Sequence, residues 1–126
     1  MILAHLPIRG GDRHGAGHWH ASRGSRLHRG VDLACYPDTG IASPVDGVVT
    51  KIGYPYGDDL TYRYVQVTGE DGKDYRLFYI RPAVKVDTRV FQGEIILGHT
   101  QELSGRYPGI PEHCHYEIKR GSRYFE

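Results

Sequence analysis

The stretch TYRYVQVTGEDGKDYRLFYI, Thr61 to Ile80, decides the fold class. Its first half alternates: Tyr62, Tyr64, Gln66 and Thr68 fall on one face, and Thr61, Arg63, Val65 and Val67 on the other. A period of two is that of a strand, in which successive side chains point to opposite faces. GEDGKD then supplies turn-forming residues, and YRLFYI resumes an extended pattern, so the whole reads as a β-hairpin. Outward from it, VDLACY (Val31 to Tyr36), IASPVDGVVTKIGY (Ile41 to Tyr54), VKVDTRVFQGEIILG (Val84 to Gly98) and HCHYEIK (His113 to Lys119) are short β-rich runs between Gly, Pro and Asp turns. SPVDGVVTKIG and VDTRVFQGEIILG both place apolar residues around a Gly turn, which suggests two related hairpins. No run of twelve or more residues carries a period near 3.6. The best helix candidate, around His99 to Arg106, is short and bounded by glycine. The expected fold is all-β and mainly antiparallel. Residues 9 to 27 show no period, and Gly recurs every few positions. Residues 1 to 27 are therefore read as an irregular N-terminal segment packed on one domain that spans residues 1 to 126.

Composition narrows the function classes. A chain of 126 residues suits one domain with a real core. Sixteen Lys+Arg nearly balance fifteen Asp+Glu, so no polybasic face draws it to nucleic acid. No apolar run approaches the ~20 residues of a membrane span, so membrane insertion is not expected. The start MILAHLPIRGG is interrupted by His5 and Pro7 and lacks a basic leader, so no signal peptide is read there. Cys35 and Cys114 allow at most one disulfide, too few for a disulfide scaffold. Eight histidines is many for this length, and they cluster early and late.

Two short motifs carry chemistry. HRGVD sets His28 four residues before Asp32, one neutral and one anionic ligand of the kind zinc takes. In HCHYE, strand alternation puts His113 and His115 on one face and Cys114 on the other. His28, Asp32 and one histidine of the pair make three ligands and leave an open position, as a catalytic zinc site requires. The remaining histidine, held beside the metal, is placed to act as a general base or hydrogen-bond donor. HWH (His18 to His20) sits in a Gly-rich segment without a rigid frame and reads as loop, with Trp19 pinning it to the sheet. Tyr54, Tyr56, Tyr62 and Tyr64 are candidates for an aromatic groove wall, and Arg23 and Arg26 for caps on loop carbonyls. Phosphoryl transfer between histidines is a third reading, but it gives Asp32 no role.

Taken together, these motifs resemble the lysostaphin-type (LytM-like) zinc endopeptidases of peptidoglycan. HRGVDLA (His28 to Ala34), TGIASPVDGVVTKIG (Thr39 to Gly53), VKVDTRVFQGEIILG (with Asp87 in place of a family glycine) and HCHYE (His113 to Glu117) match that family's segments in order, over roughly residues 22 to 118. The resemblance implies an antiparallel sheet under a narrow groove and one Zn2+ per chain. It implies His28, Asp32 and His115 as zinc ligands and His113 as a catalytic histidine. The substrate implied is a peptide bond of bacterial peptidoglycan. A second catalytic histidine of the family falls in a Tyr-x-His motif, and here YIRPA (Tyr79 to Ala83) has Arg81 at that place. Arginine keeps its proton at any working pH, so it is no base. Arg81 or the Tyr79 hydroxyl can still donate a hydrogen bond to a developing oxyanion. The resemblance is thus compatible with an enzyme, or with a weakly active or inactive zinc-binding module of structural or wall-binding use. A wall hydrolase without a leader fits release at lysis or carriage on a phage tail among other tail proteins, with the virion or the cell envelope and periplasm as its place.

Overall fold

A computed structural model describes residues 22–23, 26–27, 30–104, 106 and 112–125. Among them are twelve strands and no helix, and every strand pairing is antiparallel. No helix there is long and apolar enough to cross a membrane. The strands are β1 (Ser22–Arg23), β2 (Arg26–Leu27), β3 (Val31–Ala34), β4 (Gly40–Ala42), β5 (Gly47–Gly53) and β6 (Tyr64–Gly69). They continue as β7 (Asp74–Phe78), β8 (Ile80–Pro82), β9 (Arg89–Val90), β10 (Ile96–Thr100), β11 (His113–Arg120) and β12 (Arg123–Phe125). β1 and β2 pair with each other, so this part of the N-terminal segment is a small two-stranded ribbon rather than irregular chain. The helix candidate is also corrected: His99 and Thr100 end β10, and a turn bond from the Arg106 N–H to the Leu103 carbonyl follows. Two residues of alternating pairing outweigh a helical window too short to nucleate.

The large sheet runs β12-β11-β7-β6-β5-β9, with β3 added along the start of β11. The Thr61–Ile80 stretch supplies the β6–β7 hairpin at its centre. Val65, Val67 and Leu77 are fully buried on one face of that hairpin, where the β4-β10-β8 sheet covers them with Ile41, Leu97 and Ile80. The opposite face of the hairpin is the more polar one, and it carries Tyr64, Gln66, Arg76 and Phe78 in register. One face of the large sheet is therefore core, and the other is the floor of the groove.

The two echoing segments are not hairpins. β4 and β5 lie in different sheets, and so do β9 and β10. Instead one pairing joins the two segments, β5 with β9, and β10 pairs with β4, just before the first of them. Each needs a partner far along the chain, which local spacing does not reveal. Asp87, at the family's glycine position, adopts φ 75°, a left-handed conformation that aspartate tolerates better than most residues. Gly30 is required by close approach: a Cβ there would stand 2.3 Å from the Tyr116 carbonyl oxygen. That contact seats Gly30, and with it the start of β3, against β11.

Candidate metal centre

β3 and β11 meet so that Asp32 lies directly opposite His115, and Ala34 opposite His113. Asp32 and His113 are buried, at 3% and 4% exposure. The Asp32 carboxylate faces both rings: Oδ1 is 2.7 Å from His115 Nδ1, and Oδ2 is 3.6 Å from His113 Nε2. The other His115 nitrogen, Nε2, is 2.9 Å from Glu117 Oε1. Two residues along a strand return to the same face, which is why His113, His115 and Glu117 share the groove.

This geometry has a chemical consequence. A carboxylate only accepts, so a neutral His115 ring, with one N–H, can donate to Asp32 or to Glu117 but not to both. With the hydrogen on Nε2 toward Glu117, Nδ1 and Asp32 Oδ1 face each other as two acceptors, and a second proton or a cation between them satisfies both. Burial by itself lowers the His115 pKa, but the hydrogen bonds to Asp32 and Glu117 outweigh it and raise it to about 9. A divalent cation satisfies the same two atoms without the proton. A neutral imidazole nitrogen beside a carboxylate oxygen, with the far nitrogen oriented by a second carboxylate, is a zinc-type donor set. Among the described residues no group of three His, Cys, Asp or Glu side chains is arranged to hold a metal ion. His28, the third expected ligand, lies outside the described residues, as do His18 to His20 with Trp19 and the side chains of Arg23 and Arg26.

Tyr79 joins this cluster and Arg81 does not. The Tyr79 ring stands edge-on to His113, with centroids 5.6 Å apart and an interplanar angle of 88°. Its backbone is at φ 66°, held by N–H donation to the Arg63 carbonyl (2.8 Å) and by acceptance at its own carbonyl from Gln101 (2.8 Å). Its hydroxyl is 2.8 Å from that of Tyr56. Tyr56 in turn lies under the Arg106 guanidinium, 3.6 Å from ring centroid to Cζ. Arg81 instead has a side chain 62% exposed, with Nη2 donating to Asp38 Oδ1 at 2.6 Å. On the short strand β8 the residue that turns toward the core is Ile80, and Arg81 faces the other way.

The tyrosines divide. Tyr56 and Tyr62 form one wall with Tyr79 and Leu103. Tyr64 lies on the floor, stacked on Phe78 at 4.9 Å, and Phe78 meets the His115 ring edge-on at 5.1 Å. Tyr54 is about half exposed and carries Arg63 over its ring. Both cysteines are free, and Cys114 is fully buried behind the histidines, where burial pushes its thiol well up. The sequence reading assigned no role to Glu117 or Phe78. The signal for Glu117 was present, since it continues the His113–His115 alternation. Phe78 needed the cross-strand register, which no local pattern contains.

Comparison with known proteins identifies the family and the fold. The profile of Peptidase family M23 matches residues 26–126. Leukocyte cell-derived chemotaxin-2 of Bos taurus is 34% identical over 111 residues, covering 87% of this chain and 72% of that protein. Among solved structures, LytU aligns with a TM-score of 0.66 at 23% identity, over 92% of this chain and 72% of its own. Lysostaphin aligns at 0.67 and 23%, over 86% and 44%. A variant catalytic domain of EnpA, a prophage-encoded M23 protein from Enterococcus faecalis, aligns at 0.67 and 20%, over 98% and 95%. These structural likenesses establish the fold.

Proposed function

The chain belongs to peptidase family M23, and from that premise we propose that it is a zinc-dependent endopeptidase acting on peptide bonds of bacterial peptidoglycan. The observation that carries the reading is the Asp32–His115–Glu117 chain, an imidazole held between two carboxylates at 2.7 and 2.9 Å. His115 through Nδ1, Asp32 through its carboxylate and His28 would hold the ion. Zinc in that position supplies Lewis acidity and a nucleophile at neutral pH. His113 is the proton-handling group: it is buried beside Asp32, with Nε2 3.6 Å from Asp32 Oδ2. Tyr79 sets the His113 ring by edge contact, and its hydroxyl is paired with that of Tyr56, which leaves one O–H of the pair to donate elsewhere. Arg81, tied to Asp38, contributes charge at the mouth rather than a contact with the reacting atoms. The reading extends to a wall hydrolase freed at lysis or carried on a phage tail, which mass spectrometry of purified virions tests by its presence or absence.

A second reading keeps the metal and drops the turnover. Two observations favour it. Arg81 stands where the family resemblance places a second histidine and is turned to the surface. The relative with 34% identity is named as a chemotaxin rather than as a peptidase. A zymogram on purified cell walls decides between them: clearing that chelator abolishes and zinc restores supports the enzyme, and zinc-loaded protein that never clears supports the binding module. Equal clearing by wild type and His113→Ala refutes the role given to His113.

A further inference from the structure

We infer that the groove floor beside the metal centre carries a carboxylate-recognition subsite built from Arg76 and Lys51 over the Tyr64 ring. The inference rests on the reading of the groove as a peptide site, and it names the substrate feature that reading leaves open. Register puts Tyr64, Phe78, His115 and Asp32 in one cross-strand row, and Gln66, Arg76 and Glu117 in the next row on the same face. Arg76 is fixed rather than free to wander. Its Nε donates to Gln66 Oε1 at 2.7 Å, and the Gln66 amide donates to Thr50 Oγ1 at 3.0 Å. Gln66 is itself buried, at 9% exposure. The guanidinium carbon lies 5.3 Å from the Tyr64 ring centroid, and Lys51 Nζ lies 5.8 Å from the same centroid. Lys51 reaches that position because the strand register shifts between Val49 and Lys51, turning Thr50 and Lys51 toward the same face.

Two cations therefore converge on one aromatic ring, and neither is ion-paired with an acid among the described residues. Asp74 accepts from Thr68, Glu117 is engaged by His115, and neither Lys51 nor Arg76 has an ion-pair partner among the described residues. Holding two like charges together is unfavourable unless something else compensates, and a planar carboxylate matches the two outer nitrogens of a guanidinium fixed at Nε. Rows on one face are ~7 Å apart and strands ~4.8 Å apart, which sets Arg76 roughly 8 Å from His115, about two to three residues of an extended peptide. The ligand is thus a peptide with a free carboxylate, from an acidic side chain or a chain end, about two residues from the bond at the metal.

The test uses zinc-loaded full-length protein and fluorescein-labelled hexapeptides on an alanine–glycine backbone. A single glutamate or glutamine is stepped along each, and binding is read by anisotropy. The expected result is a Glu-over-Gln preference of ~10- to 100-fold at one position. That ratio should fall close to one in Arg76→Gln, fall partly in Lys51→Gln, and survive in part in Arg76→Lys. Lys51 is exposed, so its variant remains informative if Arg76→Gln fails to fold. Equal binding of Glu and Gln peptides by wild type overturns the subsite while leaving the peptide groove intact. A preference unchanged in both variants overturns the assignment to these residues. Absence of binding by any peptide overturns the groove reading and the subsite together.

Discussion

Replacing Glu117 tests the metal assignment without touching a ligand. In the metal-bound form proposed above it accepts from His115 Nε2, 2.9 Å away, and leaves Nδ1 bare to face Asp32 at 2.7 Å. Glu117→Gln keeps an acceptor oxygen but loses the charge that raises the basicity of the ring. Glu117→Leu removes the acceptor and frees the Nε2 hydrogen to redistribute. Partners of this kind typically contribute 10- to 100-fold in metal affinity, about 1.4 to 2.8 kcal/mol. Glutamine should fall near the low end and leucine near the high end. The assay is competition for zinc against a chromophoric chelator, with circular dichroism to confirm that the β-fold persists. Zinc affinity unchanged in both variants would refute Nδ1 of His115 as the metal-facing atom. A loss in leucine alone would show that acceptance, not charge, is what matters.

Further outcomes follow from the same geometry. Asp32→Ala should reduce bound zinc to well below one per chain by elemental analysis. In metal-free protein it should also cost about 3 kcal/mol in urea unfolding, because it strips a buried partner from His115. Leu77→Ala, at a fully buried position at the centre of the core, should cost about 2 to 5 kcal/mol, read as a lower urea midpoint with the slope unchanged. Tyr75 is held un-ionised by partial burial and by its bond to Asp71, its pKa raised to about 12. The unfolded chain ionises this phenol near pH 10 and the folded chain does not, so stability should fall as pH rises from about 10 toward 12. Tyr75→Phe should flatten that fall, and an identical pH profile in both proteins would remove Tyr75 as its source.

The hairpin was legible because Thr61 to Ile80 alternates in both arms and has a turn between them. The Asp32 and His113–His115 positions were legible because a strand returns to one face every second residue. Pairings across the chain were not. SPVDGVVTKIG and VDTRVFQGEIILG looked like two hairpins, yet β5 pairs with β6 and β9, and β10 with β4 and β8. Alternation shows which residues share a face, and it is silent on what lies across from them. For the same reason Phe78 and the Gln66–Arg76 bond could not be read in advance. The direction of Arg81 depended on the facing of a three-residue strand, too short to carry a readable period. The left-handed turn at Tyr79 has no sequence mark either, since tyrosine is not a residue that favours φ 66°.

Asp32 and His115 are 83 residues apart in the chain. Drawing such distant points together costs an unfolded chain about 4 kcal/mol in closure entropy, apart from a length-independent constant. The β6–β7 hairpin forms from neighbours, but the β3–β11 pairing cannot begin until residue 115 has been synthesised. During translation the emerging polypeptide thus lacks the Asp32–His115 pair, and any chemistry built on that pair begins with completion of the fold, not with the appearance of Asp32.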